Sequence, residues 1–380
     1  MGEWIERYHQ PAFGSYIKKG RVLVIYGPRR AGKTSLLNAC LSGYSGKTFL
    51  GTGDDLPLRE VFRAQSAQTM RSMFGDYDLA VIDEAQRLPD VGNGLKLIVD
   101  QLPGLAVVAS GSSSFELSTR VGEPLTGRHT PLMLFPLSVL ELKKKYGGMG
   151  VAERLNDLLV FGTYPEVLTA PNEEGRRNYL ATLRDSYLFK DILALDSIRN
   201  SDKLADLLRL IAFQIGREVS LSELSGKLGI AKATVERYLD LLEKCFVIKR
   251  VRGFSRNLRK EITRTARYYF LDNGVRNALI NNFNPLSLRD DAGQLWENFL
   301  FIERLKKMRY LGREADCYFW RTYDQKEVDL VEERDGRLDG FEFKWGGKPP
   351  KPPELWRETY PNASYTVIDK GNYLDFVSGD

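Results

Sequence analysis

Gly27-Pro28-Arg29-Arg30-Ala31-Gly32-Lys33-Thr34 has the GxxxxGK[ST] spacing of a phosphate cradle. Its glycines let the backbone curl until successive N–H groups face an anion, and a helix starting there adds the positive end of its dipole. Lys33 would reach the β- and γ-phosphates, and the Thr34 hydroxyl would ligate Mg²⁺. Pro28, Arg29, Arg30, Ala31 and Ser35 would complete the cradle. Downstream, the apolar run Leu79-Ala80-Val81-Ile82 ends in Asp83-Glu84. Asp83 suits Mg²⁺ held through water, and Glu84 suits orienting or deprotonating an attacking water. ATP with Mg²⁺ is the cofactor pair these residues call for.

The flanks supply the elements the cradle needs. Val22 to Tyr26 reads as a buried parallel strand and Ser35 to Leu41 as a helix. Thr48 to Leu50 reads as a second strand, Leu56 to Phe74 and Leu95 to Gln101 as helical, and Leu105 to Ala109 as another buried strand. Ser110-Gly111-Ser112-Ser113 follows it, either as hydroxyls that sense a γ-phosphate or as a plain turn. Alternating strands and helices predict a doubly wound parallel sheet with nucleotide at the carboxyl ends of the strands.

The segments GPRRAGKTS, LAVIDEAQRLPD, VVASGSSS and LTGRHTPLMLFPLSVLEL resemble a prokaryotic family of AAA-superfamily ATPases with an uncharacterised C-terminal domain. The resemblance extends to Phe161-Gly162-Thr163-Tyr164-Pro165-Glu166-Val167. It implies that the strand before Ser110 lies between the cradle strand and the acidic strand. It also makes Arg128, and secondarily Arg120, candidates for an arginine finger on the γ-phosphate; a surface or sheet-packing arginine is the alternative. A finger acting in trans would require a homo-oligomer.

Residues 138–218 show apolar residues at helical spacing and read as a lid and connector. Ser220-Leu221-Ser222-Glu223 has capping-box spacing, a short helix runs to Leu228, and Gly229-Ile230 turns into a longer helix over Ala231 to Cys245. This is helix-turn-helix spacing, with Lys232, Thr234 and Arg237 near the start of the second helix. Phe246 to Val251 and Ala266 to Leu271 read as a two-stranded wing. Residues 201–270 carry 15 lysines and arginines against 8 acids, and Lys249, Arg250 and Arg252 begin the densest basic stretch. Such charge suits DNA phosphates; a solvated face or a protein-binding winged helix is the other reading.

In the last third, a helix around Gly293 to Glu303 is followed by strands Cys317–Arg321, Glu327–Val331 and Leu338–Lys344, a short helix from Pro352 and a strand Ser364–Ile368. The αβββαβ order with Glu297, Asp329 and Glu342-x-Lys344 resembles the restriction-endonuclease-like, or PD-(D/E)xK, core. Strand alternation puts Glu342 and Lys344 on one face and Phe341 and Phe343 on the other. The resemblance implies Mg²⁺ or Mn²⁺ on Asp329 and Glu342, a further oxygen from Glu297, and Lys344 orienting water or offsetting phosphate charge. The same fold also serves binding with its chemistry idle.

The domain reading is thus an ATPase domain over 1–137, a lid over 138–218, a winged helix-turn-helix over 219–275 and a nuclease-like domain over 290–380. At 43% apolar and 28% charged residues the chain is of globular composition. Three scattered cysteines and two histidines exclude a disulfide framework and a histidine-rich metal site. Without an apolar leader or a membrane-length apolar run, a cytoplasmic setting is expected. The functional expectation is an ATP-hydrolysing, DNA-binding protein with an Mg²⁺-dependent endonuclease domain gated by nucleotide; the alternative is a regulatory switch that binds DNA or protein and cuts nothing.

Overall fold

The computed structural model describes residues 4–111, 125–185, 201–256 and 265–379. They fall into two compact units, Glu6–Pro136 with Lys244–Phe246, and Met1–Ile5 with Leu137–Glu243 and Val247–Asp380.

The first unit is built on β1 (Val22–Tyr26), β2 (Thr48–Thr52), β3 (Leu79–Asp83), β4 (Ala106–Gly111) and β5 (His129–Met133), in the order β2-β3-β4-β1-β5. Every neighbouring pair is parallel. The central strands β1, β3 and β4 read as largely apolar runs because both faces are covered. Val22, Val24, Ala80, Ile82, Val107 and Ala109 pack with Leu58, Phe62, Phe74 and Leu95 on one side. Their alternate neighbours Leu23, Ile25, Val81 and Val108 pack with Leu36 and Leu37 on the other. Each such buried Leu or Phe contributes roughly 2 kcal/mol before chain entropy is counted. The helical stretch expected over 56–74 is two helices, Leu56–Ala64 and Ala67–Phe74, because Gln65 turns at φ +45°. As implied by the resemblance, β4 lies between β1 and β3, which brings Ser110 alongside Asp83.

The second unit holds β6 (Glu218–Val219), β7 (Ile248–Gly253), β8 (Ala266–Phe270), β9 (Asp316–Arg321), β10 (Glu327–Arg334), β11 (Arg337–Phe343) and β12 (Ser364–Ile368) in one sheet. Their order is β12-β11-β10-β9-β7-β8-β6. β7 pairs antiparallel with β8 and parallel with β9, so the sheet is continuous across the boundary drawn from sequence between 275 and 290. Trp320, Val328, Val331 and Trp356 form an apolar layer with Phe254 and Tyr360.

The helix Ala292–Tyr310, amphipathic by sequence, is buried on most sides. Its polar residues are satisfied internally: the Asn298 amide exchanges hydrogen bonds with the Phe270 backbone at 2.8 and 2.9 Å. Lys306 Nζ donates to Glu303 Oε1 at 2.6 Å and to Thr163 Oγ1 at 3.0 Å. Pairing of this kind is what lets charge sit inside a core.

The Phe161–Val167 motif has a structural role here. Gly162 adopts φ +77°, and a Cβ there would fall 2.1 Å from Asp272 Oδ1. The approach lets Thr163 N donate to the buried Asp272 Oδ2 at 2.7 Å.

Candidate functional site

The loop after β1 closes into the helix Lys33–Leu41, with Gly32 at φ +96° just before its first residue. Gly27 is held against the backbone after β5, where a Cβ would lie 2.0 Å from Leu134 O. Lys33 is 5% exposed, and its Nζ donates to Gly27 O at 3.0 Å and Pro28 O at 2.9 Å. Burial lowers the Lys33 ammonium to about 8, opposed by the charges of Glu84 and Asp83 and reinforced by Arg29.

Thr34 Oγ1 donates to Asp83 Oδ2 at 2.7 Å. The Ser110 hydroxyl and the Glu84 amide both donate to Asp83 Oδ1, the latter at 3.0 Å. Glu84 turns at φ +50°, and its Oε2 accepts from Gln86 Nε2 at 2.6 Å. That turn is packed on Gly53, where a Cβ would fall 2.2 Å from Glu84 O. The cradle's positive-φ glycines, its buried ammonium and the hydroxyl–carboxylate pair fit a nucleotide with Mg²⁺. Its phosphates would lie on the loop amides, Lys33 and the helix N-terminus, and its metal on Thr34 and Asp83.

Arg7 completes this site and was not signalled by any motif. The residue is 3% exposed, and its guanidinium donates to Ala31 O and Phe135 O, each at 2.6 Å. It therefore pins the apex of the loop to the segment leaving β5. An arginine ahead of the first strand carries no local pattern that forecasts such a contact.

Arg128 lies at the start of β5, whose first residue pairs with Val22 at the start of β1. The loop leaves the far end of β1, roughly 13 Å away at the rise of an extended strand. Arg128 Nε donates instead to Asp100 Oδ1 at 2.8 Å. The structure does not bring it to the loop of its own chain, and Arg120 lies outside the described residues.

In the second unit, Ser220 caps the helix Leu221–Leu228 by accepting from Glu223 N at 3.3 Å. Glu223 itself pairs with Lys227 at 2.6 Å, so the reciprocal half of the expected capping box is replaced by an ion pair. Gly229, at φ +65°, ends that helix. In the following helix, Lys232–Lys244, Lys232 and Arg237 are exposed and Thr234 is half-buried. Of the candidate wing residues, Arg252 is exposed. Lys249 pairs with Glu243 at 2.8 Å and Arg250 with the same carboxylate at 3.7 Å, so both are partly neutralised.

The C-terminal set converges, but around a cation of the chain's own. Asp329 sits where the β10–β9 register shifts, and its Oδ2 accepts from Phe343 N at 2.9 Å. Glu342 and Lys344 share a face and pair at 2.7 Å, while Phe341 and Phe343 pack on Phe376. Arg267, from β8, reaches Glu297 at 3.2 Å, Glu327 at 2.7 Å and Asp329 at 3.5 Å. Tyr269 Oη also donates to Glu297 Oε1, at 2.7 Å. Burial pushes Glu297 up to about 8 and Glu342 up to about 7, Asp329's charge adding to both. The expected Mg²⁺ or Mn²⁺ set of Asp329 and Glu342 with Glu297 does not fit a metal here, because Glu297 is committed to Arg267 and Tyr269. Among the described residues no three His, Cys, Asp or Glu side chains are grouped to hold an ion.

Comparison with known proteins gives a family match over the stretch that holds the first of these sites. Residues 19–143 match the AAA domain family, residues 152–286 a Domain of unknown function (DUF8612) and residues 292–371 a Domain of unknown function (DUF4143). An uncharacterized protein of Mycobacterium tuberculosis is 29% identical over 335 residues, taking in 86% of this chain and 71% of the relative. One of Methanocaldococcus jannaschii is 24% identical over 340 residues, 82% of this chain and 72% of the relative. A solved RuvB variant of Thermotoga maritima is 20% identical with a TM-score of 0.32, covering 64% of this chain and 86% of that one; the likeness is too remote to transfer residue roles. No helix among the described residues is long and apolar enough to cross a membrane. Residues 19–143 are a P-loop ATPase domain of the AAA type.

Proposed function

We propose that the chain is an ATP-driven switch that engages DNA through its helix-turn-helix and wing, residues 219–275. The observation that carries the switch is the bond from Thr34 to Asp83. It ties the phosphate loop to β3, and Ser110 extends it to β4, so a γ-phosphate and its Mg²⁺ would bear on three strands at once. Lys33 would neutralise phosphate charge, and Glu84, steadied by Gln86, would orient the attacking water. Binding and release of nucleotide would then bias which conformation the DNA-binding elements adopt.

DNA engagement is supported by the exposure of Lys232, Arg237 and Arg252 on consecutive elements, with Thr234 beside them; Lys249 and Arg250 would contribute less because Glu243 already pairs them. Arg128 would serve as a finger only for a neighbouring copy, which makes a homo-oligomer part of this reading. A cytoplasmic setting suits cysteines that form no disulfide.

The test is duplex binding at several salt concentrations with ATP, with ADP and without nucleotide. The wild type should lose affinity steeply with salt, and each of Lys232→Ala and Arg237→Ala should lower the salt slope by about 1. Nucleotide should shift the affinity in the wild type and not in Lys33→Ala. Binding that ignores salt and nucleotide would overturn the proposal.

Metal-dependent cutting by Glu297, Asp329, Glu342 and Lys344 is the second reading. The shared face of Glu342 and Lys344 favours it, and Arg267 stands against it. A protein partner of the same elements is the outcome to pursue if DNA fails to bind.

A further inference from the structure

The chain passes from the helix Lys232–Lys244 to β7 through Cys245, Phe246 and Val247. Lys244–Phe246 pack with the ATPase unit, whereas Glu243 and Val247 belong to the other. Val247 N donates to Leu242 O and Val247 O accepts from Leu271 N, each at 3.0 Å. The foot of the tripeptide is thereby tied to the helix and to the chain leaving β8. Read from sequence as the start of the wing, Phe246 turns instead at φ +58°. A bulky side chain clashes with its own backbone in that region, and such a turn persists where other contacts hold it.

One such contact is with Tyr26. The two ring centroids are 6.0 Å apart and the planes are tilted by 31°, within the range of a favourable aromatic pair. Tyr26 is the last residue of β1 and delivers Gly27, the first residue of the phosphate loop. It pairs with Gly111, which follows Ser110 on β4, and with Met133 on β5. Its carbonyl accepts from Leu134 N at 2.8 Å, and the next carbonyl, that of Gly27, accepts from Lys33 Nζ at 3.0 Å. Phe246 therefore rests on the residue that anchors the loop to three strands.

We propose that Phe246 is a positioning residue of the nucleotide site and the point through which that site acts on the helix-turn-helix and wing. Nucleotide that orders the phosphate loop steadies Tyr26, and a steady Tyr26 holds the strained turn of Phe246. That turn sets the direction in which the helix hands over to β7, because no other residue separates it from Cys245 and Val247. The coupling is reciprocal: without the ring, Tyr26 and the loop behind it are less well held, and nucleotide binds more weakly.

This inference rests on the nucleotide-switch reading and not on DNA binding, so its experiment contains no DNA. Amide hydrogen exchange of the full chain is followed by mass spectrometry, with and without ATPγS and Mg²⁺, alongside the affinity for ATPγS. Phe246→Gly deletes the ring and leaves the turn, since glycine adopts a positive φ freely. In the wild type ATPγS should slow exchange over residues 242–253 by about fivefold or more. Phe246→Gly should lose that slowing and bind ATPγS about fivefold more weakly, while Phe246→Tyr, which keeps the ring, should retain both. Exchange over residues 292–310 should be alike in all three chains, which a general loss of packing would not leave. Slowing that survives in Phe246→Gly would overturn the proposal. So would a wild type in which ATPγS slows exchange elsewhere in the second unit but not over 242–253. A wild type with no response anywhere in that unit would overturn the switch reading as well. If Phe246→Gly does not fold, Phe246→Asn, which also tolerates the left-handed turn, decides by the same criteria.

Discussion

The Thr34 hydroxyl stands 2.7 Å from Asp83 Oδ2, although the two lie on different strand–loop junctions and 49 positions apart. Two groups that share one metal should not act additively, since removing either already spoils the coordination. Thr34→Ala and Asp83→Ala should each lower Mg²⁺-dependent ATP turnover by about 100-fold or more. The double variant should fall little further, and Lys33→Ala should be inactive. Phosphate release under saturating ATP measures all four; additive losses in the double variant would count against a shared ion.

Arg7 acts on the nucleotide only through Ala31 and Phe135. Losing a charged hydrogen bond to a buried carbonyl costs about 1.5–3 kcal/mol, here spent on the shape of the loop. Arg7→Gln should therefore raise KM for ATP roughly tenfold while kcat changes less, and Arg7→Lys should recover part of the loss. Millimolar guanidinium added to Arg7→Ala should restore some affinity, a response that a general packing defect would not show. An unchanged KM in Arg7→Gln would dismiss the positioning role.

Gly162 marks a place where backbone and carboxylate meet too closely for any side chain. Gly162→Ala would force a methyl to within 2.1 Å of Asp272 at a φ of +77°. Either the backbone shifts or the Thr163–Asp272 hydrogen bond breaks, at a cost of about 3 kcal/mol. Urea unfolding followed by tryptophan fluorescence should show the drop, because all five tryptophans lie outside the ATPase sheet. Asp272→Asn should destabilise too, because the amide would replace one acceptor with a donor opposite Thr163 N and leave it unpaired.

The first unit was readable because each of its chemical residues sits at a strand end that the apolar run announces. Asp83 and Ser110 stand at the ends of β3 and β4, Lys33 and Thr34 come just past the loop that leaves β1, and a parallel sheet aligns those ends without further information. Arg7 and Gly53 were invisible for the opposite reason: their roles are contacts to the backbone of distant loops. In the second unit the alternation of Phe341, Glu342, Phe343 and Lys344 gave their faces correctly. What alternation could not give is that β7 pairs with β9, a contact between segments some 65 residues apart. That pairing belongs to the sheet whose strand β8 delivers Arg267 among the carboxylates, so residues read as metal ligands meet a guanidinium. Glu223 and Glu243 show the same limit on a smaller scale, each claimed by a nearby lysine or arginine.

Asp291, just before the helix that carries Glu297, offers a pH test of the second unit. Arg276 Nη1 donates to its Oδ2 at 2.5 Å, and Arg289 donates to Oδ1 at 2.7 Å and to Oδ2 at 2.8 Å. Burial would raise its carboxyl, but the hydrogen bonds and charges of Arg289 and Arg276 outweigh it and lower the group from 3.8 to about 2. The folded chain thus holds the carboxylate at pH values where the unfolded chain has taken up a proton. The stabilisation is complete above the unfolded value and is lost as pH falls from about 4 through about 2. Its size is on the order of 1–2 kcal/mol once solvent screening at a half-buried site is allowed for. Asp291→Asn should therefore be less stable than the wild type at pH 6, and the gap should narrow as the two are compared at pH 4, 3 and 2. A gap independent of pH would mean that the arginines hold residue 291 by shape and hydrogen bonding rather than by charge.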